Sequence, residues 1–432
     1  MKTYKYAVIG NGLIGSAAGR YLSKWSDGRE KNSVAIIGPG EPVDYAAHDA
    51  DKSRVYSSHY DQGRLTREFS EDPIWATVTG RAVHQYADIE SASGITFHAP
   101  VGRVHAGQRS AADEEKLVAW MQRIDPRGEA MRYFPASDRG WQPEYPYLSV
   151  PEGFGLFHER GPAGYVNPRE MLRAQNVVAV QQGANTYTKR VERVQSSADG
   201  VLITSETGEQ FAAEKVLVAC GAFTNFSQLL PQPIPLRLKT ESMVWGEVSA
   251  ETAARLSEMP GIGFDIEGAE VDDIYMAPPI LYPDGKYKIK MGCNTANELW
   301  PKTLSEVQAW FQHGSSDLDL PAMETALRDL LPDVEFLGMT SHRCIVTYTP
   351  SGYPTVDQVP SDPYGRLFVA TGGNGSGAGG SDTLGLLAAG LMFDGRWIDE
   401  LPRDLFLATN EWSEGKRGLS KAQERAMEKS GG

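Results

Sequence analysis

Cysteine is scarce in this 432-residue chain: Cys220, Cys293 and Cys344 are the only three, odd in number and far apart. No disulfide framework and no C-x-x-C metal pattern can be built from them, so a reducing compartment is expected. Long apolar runs are missing too. No stretch approaches the roughly 20 residues that a bilayer crossing needs, and the start, MKTYKYAVIG, enters a strand pattern without the basic and then apolar segment of a secretory leader. The end, EKSGG, is not a peroxisomal tripeptide. A cytoplasmic location is therefore expected. Positive charge is in deficit: 42 Lys and Arg face 56 Asp and Glu, a net −14. That excludes partners held by a basic surface, nucleic acid and anionic membranes alike.

What is present is enough chain for two full hydrophobic cores. The first unit reads strand, glycine-rich turn, helix, strand. KYAVIG supplies apolar β-formers, GNGLIG the turn and SAAGRYLSKW a helix of small residues. SVAIIG follows as a short, almost wholly apolar strand of the kind buried in a parallel sheet. Gly10, Gly12 and Gly15 thus form G-x-G-x-x-G inside a βαβ unit. The first glycine permits the turn, the second lets backbone approach a pyrophosphate, and the third packs helix on strand, while the helix N-terminus offers N–H groups to phosphate. The acid that ordinarily ends the second strand and holds a ribose is replaced by Gly38; Glu41, three residues late, is the candidate substitute.

Beyond a polar stretch from His48 to Ser70, helices are expected over DPIWATVTGRAVHQYADIESAS, EEKLVAWMQRI and a segment opened by Pro168. Short strands then close on a second buried apolar strand, KVLVACG, and Ile234 to Cys293 is mainly β. TLSEVQAWFQHG and PAMETALRDLLP are amphipathic helices. Near the end, RLFVATGGNGSGAGGSDTLGLLAAGLM gives a strand, a second glycine-rich loop and an apolar helix. Nucleotide-type elements at the start, middle and end imply one discontinuous α/β domain with a β-rich domain inserted. The expected division is 1–80, 150–230 and 336–400 for an FAD-binding Rossmann domain, 81–149 and 231–335 for a mainly antiparallel substrate domain, and 401–432 for a tail. An apolar strand ending in A-x-G after a β-meander resembles FAD-binding proteins of the glutathione-reductase type, which favours FAD over NAD.

The chain resembles the D-amino-acid-oxidase superfamily, and within it the monomeric sarcosine oxidase and N-methyltryptophan oxidase branch. VIGNGLIGSAAGRYL, SSHYDQGRLTREFS, YKIKMGCN, RCIVTYTPSGYPTVD and GGNGSGAGGSDTLG carry the likeness in the family order. It implies that Cys344, with Thr347, Thr349 and Asp357 at matching offsets, is joined to the flavin 8α carbon as a thioether. It further implies that Lys290 assists reaction with O2, where a fixed cation stabilises developing negative charge. Lys286, Lys288 and Lys290 alternate, however, as the solvated face of a strand also would. Arg64 is implied beside the flavin, and Arg67 on a substrate carboxylate, which a guanidinium meets with two parallel bonds. Ser58, His59 and Tyr60 line the cofactor in the same likeness, as do Gly375, Gly377 and Gly379.

Two positions depart from the family pattern. Gly379 stands where a second carboxylate-binding lysine belongs, and Asn294 where an active-site histidine belongs. The expected substrate is accordingly larger or less acidic than sarcosine. Asp382 is a candidate either for pairing with a cationic substrate or for capping the last helix. The expected activity is FAD-dependent oxidation of a secondary amine or amino acid, N-methyl or cyclic, to an imine, with O2 reduced to H2O2 by a monomer. A flavin-dependent dehydrogenase, a tailoring desaturase and a flavin-binding protein without oxidase activity remain open alternatives.

Overall fold

The computed structural model describes residues 1–26, 33–40, 57–267, 270–314 and 316–412; Glu41 lies outside them. Among the described residues, two eight-stranded sheets and a small three-stranded one organise the chain. In the first large sheet Lys2–Ile9 is central, parallel to Val34–Gly38 on one side and to Gln210–Val218 on the other. Leu367–Thr371 runs parallel to Gln210–Val218 and pairs with Thr355–Gln358. The central strands are buried on both faces, which is why they read as unbroken apolar runs.

Helices Leu13–Trp25, Pro168–Gln181 and Ser381–Phe393 pack together beside this sheet. Small residues permit the approach: a Cβ at Gly19 would lie 2.3 Å from Ile36 Cδ1, and one at Gly385 would lie 2.5 Å from Ala17 Cβ. The three helices are pinned by a buried polar knot. Asp382 accepts from Arg20 Nη2 and Tyr21 OH, both at 2.7 Å, and from Gln175 Nε2 at 2.9 Å. Neither expectation for Asp382 holds: it makes no cap bond, the N-cap being Gly380, and it is fully committed inside the fold.

The second large sheet runs in the order Gly338–Tyr348, Arg237–Val248, Tyr287–Thr295, Val271–Leu281, Gly261–Glu267, Arg103–Gly107, Gly155–Glu159, Met131–Phe134. All its pairings are antiparallel except that of Gly261–Glu267 with Arg103–Gly107. Gly155–Glu159 and Gly338–Tyr348 fall in ranges expected for the first domain, yet they are hydrogen-bonded into this second sheet. Strand pairing outranks chain proximity here: Arg237–Val248 takes Gly338–Tyr348 as its partner over eleven residue pairs, from Arg237↔Tyr348 to Glu247↔Gly338.

The expected helices form over Pro73–Ser93, Ala111–Ile124, Pro168–Gln181, Leu304–His313 and Leu320–Leu330. Their starts carry the expected chemistry. Asp72 and Asn167 cap the two helices that open with Pro, and Thr303 with Glu306 makes a full capping box. The described part of the expected tail, 401–412, is packed on the fold: Phe406 and Ala408 are buried, and Ala408 N donates to Asp357 Oδ2 at 3.0 Å.

Candidate active site

A cavity of about 520 Å3 runs from the glycine-rich turn of the first sheet to the inner face of the second. At the turn, Gly10 has φ +101, and a Cβ there would lie 2.3 Å from Ala219 O; a Cβ at Gly15 would fall 1.9 Å from Gly10 O. Both positions therefore require glycine. A Cβ at Gly12 would meet only His59 Nδ1, at 4.0 Å, so its backbone faces open cavity. The helix that starts there has no side-chain cap and no acidic residue in its first turn. Asn11 lines the same space, and its buried Oδ1 has no partner among the described residues. These features fit the pyrophosphate and ribose of a dinucleotide. Gly38 is explained sterically: a Cβ there would lie 2.5 Å from Asn11 N, so no acidic side chain can leave the strand at that point.

Ser58, His59 and Tyr60 line the cavity, with the His59 and Tyr60 rings edge to face at 4.8 Å. Burial, reinforced by Arg169 and Arg64, pushes the His59 pKa down to about 3, so its imidazole is neutral. Gly375, Gly377 and Gly379 also line the cavity, leading into the helix Ser381–Phe393, whose N-terminus again lacks a side-chain cap. Tyr86 OH holds the loop by donating to Gly379 O at 2.6 Å.

The charged part of the site centres on Asp61, which sequence reasoning missed. Its carboxylate takes an ion pair from Lys290 at 2.7 Å and a hydrogen bond from Tyr282 OH at 2.8 Å, and it also binds Arg64. Burial alone would raise the Asp61 pKa, but Lys290 and Arg64 outweigh it and hold the carboxyl well below the usual range. Burial likewise opposes the Arg64 charge, and Asp61 restores it. Lys290 is lowered by burial and by Arg64, against the pull of Asp61. The one local sign of this cluster was an Asp three residues before Arg64.

Arg64 and Arg67 both line the cavity, as do Cys344 and Thr347. Arg67 makes no ion pair or hydrogen bond among the described residues, and its buried Nε has no partner. Burial and the neighbouring Arg103 bring its pKa down to about 10. The hydroxyl of the preceding residue, Thr66, which is 2% exposed, is also without a partner among the described residues. Two predicted catalytic residues are placed elsewhere. Lys290 does not line the cavity: its Nζ also donates to Gly63 O at 3.0 Å and lies 5.3 Å from the ring centre of Tyr275, which does. Lys286 and Lys288 pair with Glu247 and Asp284, so the alternation of three lysines covers two surface pairs and one buried one. Asn294 also lies outside the cavity wall, accepting from Lys239 Nζ at 2.6 Å and donating to Asp272 and Asp273 at 3.0 and 3.2 Å.

The inner face of the second sheet supplies residues that no local motif announced. His105 lies over Gly263, where a Cβ would meet its Nδ1 at 2.4 Å, and Tyr275 lies over Gly292, where a Cβ would meet its hydroxyl at 2.4 Å. Gly263 pairs with both His105 and Tyr275, and Tyr275 pairs with Gly292, so the two glycines make room for two rings along one row of the sheet. Tyr275 OH reaches Glu241, donating at 3.0 Å, and Glu241 stands opposite Cys344 in the strand register. Burial raises the Cys344 pKa, Arg64 opposes that, and Glu241 adds to it. Cys220 and Cys293 are likewise pushed up by burial.

Comparison with known proteins agrees with this architecture. A probable sarcosine oxidase of Arabidopsis thaliana is 24% identical over 405 residues, covering 85% of this chain and 89% of that protein. Monomeric sarcosine oxidase of Arthrobacter sp. (strain TE1826) is also 24% identical over 405 residues, covering 91% and 94%. Among solved structures, the open form of NikD, described as an unusual amino acid oxidase essential for nikkomycin biosynthesis, superposes with a TM-score of 0.71. It has 16% identity and covers 94% of this chain and 98% of that one. Glycine oxidase from Geobacillus kaustophilus gives 0.66 at 18% identity, covering 96% and 100%. Residues 5–391 match the family described as FAD dependent oxidoreductase, and the chain belongs to that family.

Proposed function

We propose that the protein is an FAD-dependent amine oxidase that converts a secondary amine or amino acid to an imine, with O2 as the electron acceptor. One observation carries the reading: Gly10 and Gly12 of the dinucleotide turn and the Arg67 guanidinium, unpaired among the described residues, line one and the same cavity. The sarcosine and glycine oxidases among its relatives add support. When bound, FAD supplies the two-electron acceptor for the amine.

The chain's own residues bind and orient. Residues of the first sheet and its helices, expected within 1–80, 150–230 and 336–400, hold the cofactor through Gly10, Gly12, Gly15 and the backbone of Gly375–Gly379. The inner face of the second sheet covers the substrate. Arg67 receives the substrate carboxylate, and its lack of an internal partner leaves its N–H groups available for it. Asp61 fixes Arg64 at the cavity wall. Lys290 acts through the field of its charge from behind Tyr275, since it is sealed from the cavity, and Asn294 acts as a positioning residue for Asp273.

The finer assignment is a thioether between Cys344 Sγ and the flavin, supported by the place of Cys344 on the cavity wall beside Thr347. Acid precipitation tests it: yellow colour stays with the wild-type pellet and is lost from Cys344→Ser. Release of all flavin from the wild type would reject the tether. Anaerobic titration with secondary amines tests the activity, with bleaching of the flavin absorbance as the expected result. Oxygen uptake by Lys290→Met then separates oxidase from dehydrogenase, since loss of O2 reaction with bleaching retained is expected only of an oxidase.

A further inference from the structure

Among the described residues four arginines line the cavity: Arg64, Arg67, Arg103 and Arg190. Two are spent inside the protein, Arg64 on Asp61, and Arg190 on Glu192 and Glu206 at 2.9 Å each. The other two are not. Neither Arg67 nor Arg103 makes a side-chain hydrogen bond to a described residue, and the Nε of each is buried without a partner. Arg103 stands two residues from His105 and so on the same face of its strand, directly opposite Glu159 in the antiparallel pair. Glu159 Oε2 comes only to 3.8 Å from Arg103 Nε, outside hydrogen-bond range. Its Oε1 is taken by the main chain just after Arg67, accepting from Glu68 N at 2.6 Å and from Phe69 N at 3.0 Å. One buried carboxylate, itself off the cavity wall, thus ties the segment that carries Arg67 to the strand that carries Arg103.

Positive charge is in excess at this wall. Arg67 feels Arg103 as its strongest charged neighbour, ahead of Glu159 and Asp72. Asp72 is occupied elsewhere: Oδ1 caps a helix, accepting from Ile74 N and Trp75 N at 2.9 and 3.1 Å, and Oδ2 accepts from Tyr353 OH at 2.8 Å. Burial raises the Glu159 pKa in spite of Arg103, so the acid that the two guanidiniums share holds its charge less firmly. Two buried like charges are costly to keep side by side, and an anion entering from the cavity relieves both. Resting on the amine-oxidase reading above, we propose that Arg103 is a second carboxylate-binding residue, which grips the substrate's carboxylate together with Arg67. Each guanidinium offers a planar set of N–H donors to the two carboxylate oxygens. The clamp that the family likeness places at position 379, where this chain has glycine, is thereby supplied from the second sheet. The substrate class is an amino acid with its carboxylate free, not the less acidic amine that Gly379 by itself implies.

The test uses the flavin-loaded protein and acids that carry no amine, so that binding is read without turnover. Cyclohexanecarboxylate and propanoate are each compared with the corresponding neutral amide, by the shift caused in the flavin spectrum and in Tm. The wild type is expected to prefer the acids. That preference should fall about tenfold or more in Arg103→Gln, equivalent to about 1.4 kcal/mol, and be largely kept in Arg103→Lys. Since Arg103→Gln also strands the buried Glu159, the comparison is repeated in Glu159→Gln, whose amide oxygen still accepts from Glu68 and Phe69. Glu159→Gln alone should keep the acid preference, and adding Arg103→Gln to it should remove most of it. No preference for either acid in the wild type would overturn the proposal. So would a preference undiminished when Arg103→Gln is added to Glu159→Gln. An acid preference that depends on Arg103, with no secondary amine bleaching the flavin anaerobically, would instead uphold the carboxylate clamp and reject the oxidase reading.

Discussion

The two ends of the cavity are built by different means. At the glycine-rich turn the wall is backbone, and the side chains are conspicuous by exclusion: Gly10, Gly15 and Gly38 each have another backbone atom within 2.5 Å of where a Cβ would sit. On the second sheet the wall is side chain, with Tyr275, Glu241, His105 and Cys344 set by strand register. A backbone site tolerates no substitution, because the atoms a Cβ would meet are main chain, as Ala219 O is at Gly10. A side-chain site tolerates exchange at each position but depends on pairings between segments far apart in the chain.

This contrast is broken most sharply at the turn. Gly10→Ala and Gly15→Ala place a Cβ inside van der Waals contact with backbone that cannot yield, and at Gly10 in a left-handed conformation as well. Each is expected to cost more than about 4 kcal/mol or to abolish folding, read as loss of Tm and of flavin bound per chain. Next comes the charged centre. Asp61→Asn leaves Lys290 and Arg64 buried without their counter-charge, an expected loss of about 3–5 kcal/mol in urea unfolding; a loss under about 1 kcal/mol would show the cluster to be hydrated and weak.

A milder effect is expected on the sheet. Gly292→Ala drives a methyl group into the Tyr275 ring, for about 1–3 kcal/mol, and should displace the hydroxyl from Glu241. Its signature is a fall in amine reduction rate larger than the fall in flavin content, whereas a turn variant loses both together.

The smallest expected effect is on pH dependence. Burial holds His59 and His342 near pKa 3, against 6.5 for the unfolded chain. As pH falls below about 6.5 the unfolded chain takes up protons first, so their contribution is complete above 6.5 and is lost progressively toward 3. Glu298, raised to about 7 by burial despite Lys239, works in the opposite direction between 4.5 and 7. The net slope of Tm with pH should therefore steepen in Glu298→Gln and flatten in His342→Gln; parallel curves for all three proteins would contradict the placement of these charges.

How much of this was legible follows the same division. Capped helices such as Pro73–Ser93 and Leu304–His313 could be read because cap, periodicity and terminator lie within one segment. The place of Cys344, Arg64 and Arg67 on the cavity wall was legible because each sits in a short motif that resembles a known family. Lys290 and Asn294 were chosen on the same grounds, yet the fold turns the first inward to Asp61 and ties the second to Lys239. The strand Gly338–Tyr348 falls in a range expected for the FAD-binding domain yet pairs with Arg237–Val248 in the second sheet, a partner about a hundred residues away that nothing local announces.

The sequence by itself determined the dinucleotide turn, since G-x-G-x-x-G between an apolar strand and a helix has few other physical uses. It also determined the family likeness, which residues 5–391 bear out. Only the tertiary structure decided that Asn11 shuts an acid out of position 38, that Asp61 is the hub of the charged centre, and that Glu241 faces Cys344. The reason is range: a turn closes over a few residues, whereas a charge on a sheet face is defined by neighbours that only strand pairing supplies.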